Sequence, residues 1–248
     1  MFLYLCHLTM QTMNFSEITT IFLDVDDTLW WFTENSKVAL EEAFHDFGGD
    51  YWPCDYDTFH KVYLKHNNEL WDLYHHGLIE RDVLKAERFR RTLTELGCDS
   101  ECGDLASRMD EHYLAVLAQQ TKLLPGARHL LENLNAKGYD VNVLSNGFKG
   151  IQQQKLVSGG IDHLIHHVVL SDDCGITKPL PGIYDYAMQV CNTTPESSLM
   201  IGDNPETDIQ GAHQAGWKTI YFNLRGIDPI EGTADATVTS LEQIEDLL

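Results

Sequence analysis

The chain has 248 residues, 43% of them hydrophobic, enough to bury one large α/β core with a smaller unit beside it and too many for a disordered chain. A formal net charge of −21 argues against binding to nucleic acid or anionic membranes, and no run of eighteen apolar residues offers a membrane-spanning helix. A protein this acidic that handled phosphate would have to supply positive charge locally, for instance as a metal ion.

The stretch from Met1 to Met13 lacks the basic start of a secretory signal, so a cytoplasmic protein is expected, with a leader that carries no identifiable chemistry. The six cysteines are scattered without paired spacing and read as reduced thiols. The apolar run Thr19 to Leu23 reads as a strand and empties into Asp24-Val25-Asp26-Asp27-Thr28. Alternating side chains place Asp24 and Asp26 on the same side of that strand end. Two acids so close suggest acid/base chemistry, a metal, or both, the alternative being an Asp-rich turn or cap. A calcium loop starting at Asp24 fails on spacing, because it would need Gly where Leu29 stands and Glu where Asn35 stands.

Trp30, Trp31 and Phe32 follow, where an aromatic face could stack on a flat substrate or wedge two parts of the protein together. The next roughly ninety residues have helical periodicity and almost no strand signal. Leu40, Ala43, Phe44 and Phe47 mark one helix ending at Gly48-Gly49, and further helices are predicted over 56–75, 80–96 and 104–120, with Gly77 and Gly97 as stops. Trp52, Trp71 and Tyr74 read as the interior of this block, and Lys85 to Arg91 as a solvated helix face.

From Leu124-Pro125-Gly126 onward strands alternate with helices. A helix with the stripe Ala127, Leu130, Leu131 and Leu134 stops at Gly138, and strands are predicted at 139–145, 167–171, 198–202, 217–222 and 235–238. Such alternation implies a parallel sheet covered on both faces, with ligands at the carboxyl ends of its strands. The expected organisation is a core of 14–29 and 119–248, interrupted by a helical unit at 30–118 that covers the active edge.

The residues just after each strand are therefore candidates for chemistry. They are Ser145-Asn146-Gly147, then Asp172, Asp173 and Lys178-Pro179, then Gly202-Asp203-Asn204 with Asp208 beyond. Singly each reads as a turn, a solvated charge or a helix cap, but jointly they bring hydroxyl, ammonium and carboxylates to one rim. The run Asp162 to His167 precedes a strand and lacks partners at ligand spacing, so it does not read as a metal site.

In order and spacing, Asp24 to Thr28, Ser145, Lys178 and the loop Gly202 to Asp208 resemble the four motifs of the haloacid-dehalogenase superfamily of phosphohydrolases, over about 19–28 and 124–222. The resemblance implies a Rossmann-like α/β core with an inserted all-helical cap. It implies Mg²⁺-dependent transfer of a phosphoryl group to Asp24, with Asp26 protonating the leaving alcohol and then activating water. Mg²⁺ would be held by the Asp24 side chain, the Asp26 backbone carbonyl and Asp203, with Asp208 nearby. Ser145, Asn146, Lys178 and Thr28 would serve the phosphate, and Asp26 favours a phosphatase over a dehalogenase.

Leu144 to Phe148, Gln152 to Leu156, Thr177-Lys178-Pro179 and Ile183 to Ala187 look like the branch that includes pyrimidine 5′-nucleotidases. Phosphatases for sugar phosphates, acylneuraminate phosphates and phosphoglycolate share these stretches. The expected partner is a small phosphorylated metabolite, handled by a monomer or homodimer without nucleic acid polymer or membrane. A sugar phosphomutase and a regulatory module binding a phosphorylated metabolite stay open.

Overall fold

The computed structural model describes residues 15–48, 52–98 and 102–248, so the leader and Gly49 lie outside it. The strands are β1 (Thr20–Leu23), β2 (Asp140–Ser145), β3 (His167–Leu170), β4 (Ser198–Gly202), β5 (Lys218–Phe222) and β6 (Ala236–Val238). They form one parallel sheet ordered β3-β2-β1-β4-β5-β6. All six predicted strands are present. The helices are α1 (Phe32–Phe47), α2 (Tyr56–His75), α3 (Arg81–Glu95), α4 (Cys102–Gln119), α5 (Ala127–Ala136), α6 (Lys149–Ser158), α7 (Ser171–Cys174), α8 (Pro181–Cys191), α9 (Gly211–Gln214) and α10 (Glu242–Glu245).

Burial on both faces explains why the strands read as nearly continuous apolar runs. Ile21, Leu23, Val141, Val143, Leu199 and Ile201 belong to one core, and Phe22, Leu144, Met200, Tyr184 and Trp217 to the other. The alternation along β1 carries straight on into Asp24. Helices α1 to α4 form a helical layer whose interior packs Phe44, Phe59, Tyr63, Phe89 and Tyr113. Trp52 stacks on Phe44 there, as its interior reading expects. Among the described residues no helix is long and apolar enough to cross a membrane.

Helix α1 begins well before the Leu40 stripe suggests, directly after the acidic loop. Asp27 explains it: Oδ1 accepts from the Thr33 N–H at 2.9 Å and Oδ2 from the Thr33 hydroxyl at 2.7 Å, so its carboxylate satisfies a free donor of the first turn. To do so Asp27 adopts φ 57°, unusual for a residue with a side chain. The chain leaves and re-enters the core at one place. Trp31 donates its N–H to the Lys122 carbonyl, Leu124 donates to Leu29, and Trp30 bridges Leu123.

Candidate active site

Strand order reverses at β1, which has β2 on one side and β4 on the other, so the crevice at their carboxyl ends is where a sheet of this kind binds ligands. Leu23 is in register with Val143 and with Ile201, which brings Ser145, the last residue of β2, together with Asp24 and Asp203 just past the ends of β1 and β4. A π-helical turn, Pro205–Gln210, follows β4 and delivers Asp208. Its start is capped by Asn204, whose side-chain oxygen accepts the N–H groups of Glu206 and Thr207, both at 3.0 Å. Gly202 makes room for this turn, since a Cβ there would lie 2.3 Å from Asp208 Oδ2.

Lys178 joins the carboxylates. Its ammonium is almost fully buried and donates to Asp24 Oδ1 at 2.7 Å, Asp208 Oδ1 at 2.6 Å and the Leu144 carbonyl at 2.7 Å. All three of its donors are used, which is what a buried ammonium requires. Burial opposes its charge, but Asp208 and Asp24 more than offset that and raise its pKa. Asp203 instead pairs with Arg225 at 2.9 Å.

Three carboxylates thus share two cations. Burial, with Asp208 and Asp26 adding to it against Lys178, pushes Asp24 up to about 7. Asp203 is raised well above the usual carboxylate range by burial first and then by Asp208. Carboxylate oxygens of Asp24, Asp203 and Asp208 lie within 4.8 Å of one another. An all-oxygen, under-compensated set fits a hard divalent cation such as Mg²⁺, whose charge would favour the ionised forms.

A cavity of about 220 Å³ opens on this cluster, lined among others by Asp26, Ser145, Asn146, Phe32, Trp71 and His75. Asp24, Asp26, Ser145, Asn146, Lys178, Asp203, Asp208 and Phe32 are thereby brought together. Thr28 is not: it is fully buried outside the cavity, its hydroxyl without a partner, so the expected phosphate contact is not available to it. Asn146 lines the cavity, but its side-chain amide is occupied by the Lys178 backbone, donating to the carbonyl at 2.8 Å and accepting the N–H at 2.7 Å. That amide positions Lys178.

Trp30 and Trp31 also depart from the stacking expectation. Trp30 is completely buried, its Nε1–H donating to the Gln120 carbonyl at 3.2 Å, and Trp31 lies against the Lys122 ammonium, 4.5 Å from its ring centroid. They wedge the helical layer onto the sheet. The ring that does reach the cavity besides Phe32 is Trp71, which was expected in the interior of the block and instead stacks on Phe148 at 5.5 Å. The basic run Lys85–Arg91 stays away from the site, with Arg88 buried against Asp110 at 2.5 Å and Arg90 and Arg91 paired to Glu87.

Four polar residues at the site escaped sequence reasoning: Gln152, Lys155, Arg225 and His75. Gln152 and Lys155 bind the Asp26 carboxylate and lie three apart on α6, the spacing of one helical face. Arg225 follows β5, and extending the strand-end rule by one strand finds it. His75 ends α2 and faces the cavity, where burial and then the Lys178 charge hold its pKa down at about 4.

Comparison with known proteins agrees with this geometry. Residues 18–216 match the family of haloacid dehalogenase-like hydrolases. The chain is 32% identical over 232 residues to pyrimidine 5′-nucleotidase YjjG of Escherichia coli, covering 92% of this chain and 96% of that one. It is 31% identical over 204 residues to pyrimidine 5′-nucleotidase PynA of Streptococcus pneumoniae, covering 82% and 83%. The solved structure of the putative HAD-hydrolase YfnB from Bacillus subtilis, bound to magnesium, superposes with a TM-score of 0.82 at 26% identity, covering 93% of this chain and 98% of that one. With the acidic crevice at the reversal of strand order and a match over most of its length, the chain belongs to the haloacid dehalogenase-like hydrolases.

Proposed function

We propose that this enzyme, a phosphatase of its family, is a Mg²⁺-dependent phosphomonoesterase that acts through an aspartyl-phosphate at Asp24 on pyrimidine nucleoside 5′-monophosphates. The observation that carries the reading is the buried Asp24, Asp203 and Asp208 cluster, held by Lys178 at the floor of a cavity whose wall includes the rings of Phe32 and Trp71. The cavity lining combines charged groups with flat aromatic surface, which suits a phosphate joined to a base. Two relatives above 30% identity that are named pyrimidine 5′-nucleotidases support the substrate.

A carboxylate oxygen of Asp24 attacks phosphorus, the ester P–O bond breaks with its electron pair on the leaving oxygen, and that oxygen takes a proton from Asp26. Water then attacks the aspartyl-phosphate, Asp26 takes its proton, and the bond from Asp24 to phosphorus breaks to release inorganic phosphate. Lys178, touching Asp24 and Asp208 together, offsets charge as the phosphoryl group arrives, and the Ser145 hydroxyl lies at the same rim to hydrogen-bond it. A divalent cation held by Asp24, Asp203 and Asp208 would supply the remaining positive charge.

The test is phosphate release with Mg²⁺ and with chelator on UMP, dUMP, dTMP, purine monophosphates, glyceraldehyde 3-phosphate, phosphoserine, phosphoglycolate and an aryl phosphate. Metal-dependent release that favours the pyrimidine nucleotides is expected. Preference for another ester overturns the substrate, and silence on every ester overturns the phosphatase.

A further inference from the structure

Lys155 has no role in the mechanism above, yet it is 3% exposed in the middle of α6. Its ammonium donates to Asp26 Oδ1 at 2.6 Å and lies 4.7 Å from the centroid of the Trp30 ring and 5.2 Å from that of Phe32. The other oxygen of the same carboxylate, Oδ2, accepts from Gln152 Nε2 at 2.7 Å, and that amide also donates to Ser145 Oγ at 3.0 Å. One face of one helix therefore grips both oxygens of Asp26.

The aromatic walls are fixed independently. Trp30 is tied to the acidic loop by the Asp27 N–H donating to its carbonyl at 2.8 Å, and to the end of the helical layer by its indole N–H on Gln120. Phe32 opens α1 and lines the cavity. Stability does not explain a lysine here, because an apolar side chain of the same length would fill the aromatic slot without burying a charge. A single ammonium between two rings and a carboxylate does fix where that carboxylate stands.

We propose that Lys155 is a positioning residue, whose ammonium on Oδ1 holds the Asp26 carboxylate where it exchanges the proton with the leaving group. The inference rests on the phosphatase reading, in which breaking the ester bond leaves an electron pair on an oxygen that Asp26 protonates. It follows that Lys155 matters only as far as the leaving group needs that proton. A nucleoside alkoxide needs it, whereas p-nitrophenolate leaves without it.

The experiment compares kcat/KM of the full chain in Mg²⁺ on UMP, or on the alkyl phosphate it cleaves best, and on p-nitrophenyl phosphate. Lys155→Met fills the slot without charge, Lys155→Gln is a second neutral variant in case the first fails to fold, and Lys155→Arg restores the charge. A neutral variant is expected to lose at least about tenfold more on the alkyl ester than on the aryl ester, with most of the loss in kcat. Arg is expected to recover part of that loss. In an Asp26→Asn background the Lys155→Met substitution should cost nothing further, since the two act as one unit. Equal losses on both esters, or full additivity with Asp26→Asn, would overturn the positioning role while the phosphatase stands; a wild-type chain silent on both esters overturns the phosphatase itself.

Discussion

Two of the buried ion-paired clusters are built to opposite rules. In the helical layer Arg88 meets Asp110 at 2.5 Å, both almost fully buried, with the guanidinium 5.2 Å from the Tyr113 ring centroid and neither residue lining the cavity at the sheet end. At the end of the sheet Lys178 meets Asp24 and Asp208, Arg225 meets Asp203, and a cavity opens on the surplus carboxylate. One cluster is balanced and closed, the other under-compensated and open. Proximity and burial are common to both, so neither marks a reactive site. What distinguishes the site is charge left over where a ligand can reach it.

The contrast breaks most sharply at Asp24. Asp24→Asn should reduce phosphate release by roughly a thousandfold or more while the chain stays folded, because the attacking oxygen is lost and a buried charge is relieved. Steady-state assay with thermal melting on the same sample checks both halves. Arg88→Met should do the reverse: it strands Asp110 without its cation and costs about 3–5 kcal/mol of stability, read by denaturant unfolding, with kcat of the folded enzyme unchanged. Adding Asp110→Leu should return most of that loss.

Mg²⁺ should act on one cluster only. At a hundred times its dissociation constant it should stabilise the wild-type chain by about 2.7 kcal/mol against unfolding, and far less when Asp203 is changed to Asn. A comparable shift in both proteins would mean that the ion binds elsewhere. The smallest effect concerns His75, whose folded pKa of about 4 lies below its ordinary value of 6.5. A depressed value means that the folded state favours the neutral ring. The stability this contributes is full above 6.5 and is lost as pH falls through 6.5 towards 4. His75→Gln should flatten that limb of the melting temperature against pH.

Much of this was legible in the chain. Apolar runs of strand length, each followed by a polar residue, located Asp24, Ser145, Asp203 and Asp208, because a parallel sheet buries its strands on both faces and leaves only their ends to react. Helical periodicity placed α2, α3 and α4 to within two residues. Residues whose role depends on which faces meet were not legible. Trp30 and Trp71 are both tryptophans near helix ends, and only packing sends the first under the layer and the second to the cavity. Thr28 turns inward although Asp24, Asp26 and Asp27 just before it line the site.

The sequence by itself determined the strands, the helical block and the acidic strand ends, because side-chain periodicity and burial are properties of neighbours along the chain. Only the tertiary structure decided that Lys178 would neutralise Asp24 and Asp208, that Arg225 would take Asp203, and that Lys155 would hold Asp26 from more than a hundred residues away. Electrostatic partners are chosen by distance in space, and that distance exists only after β1, β2 and β4 have been laid side by side.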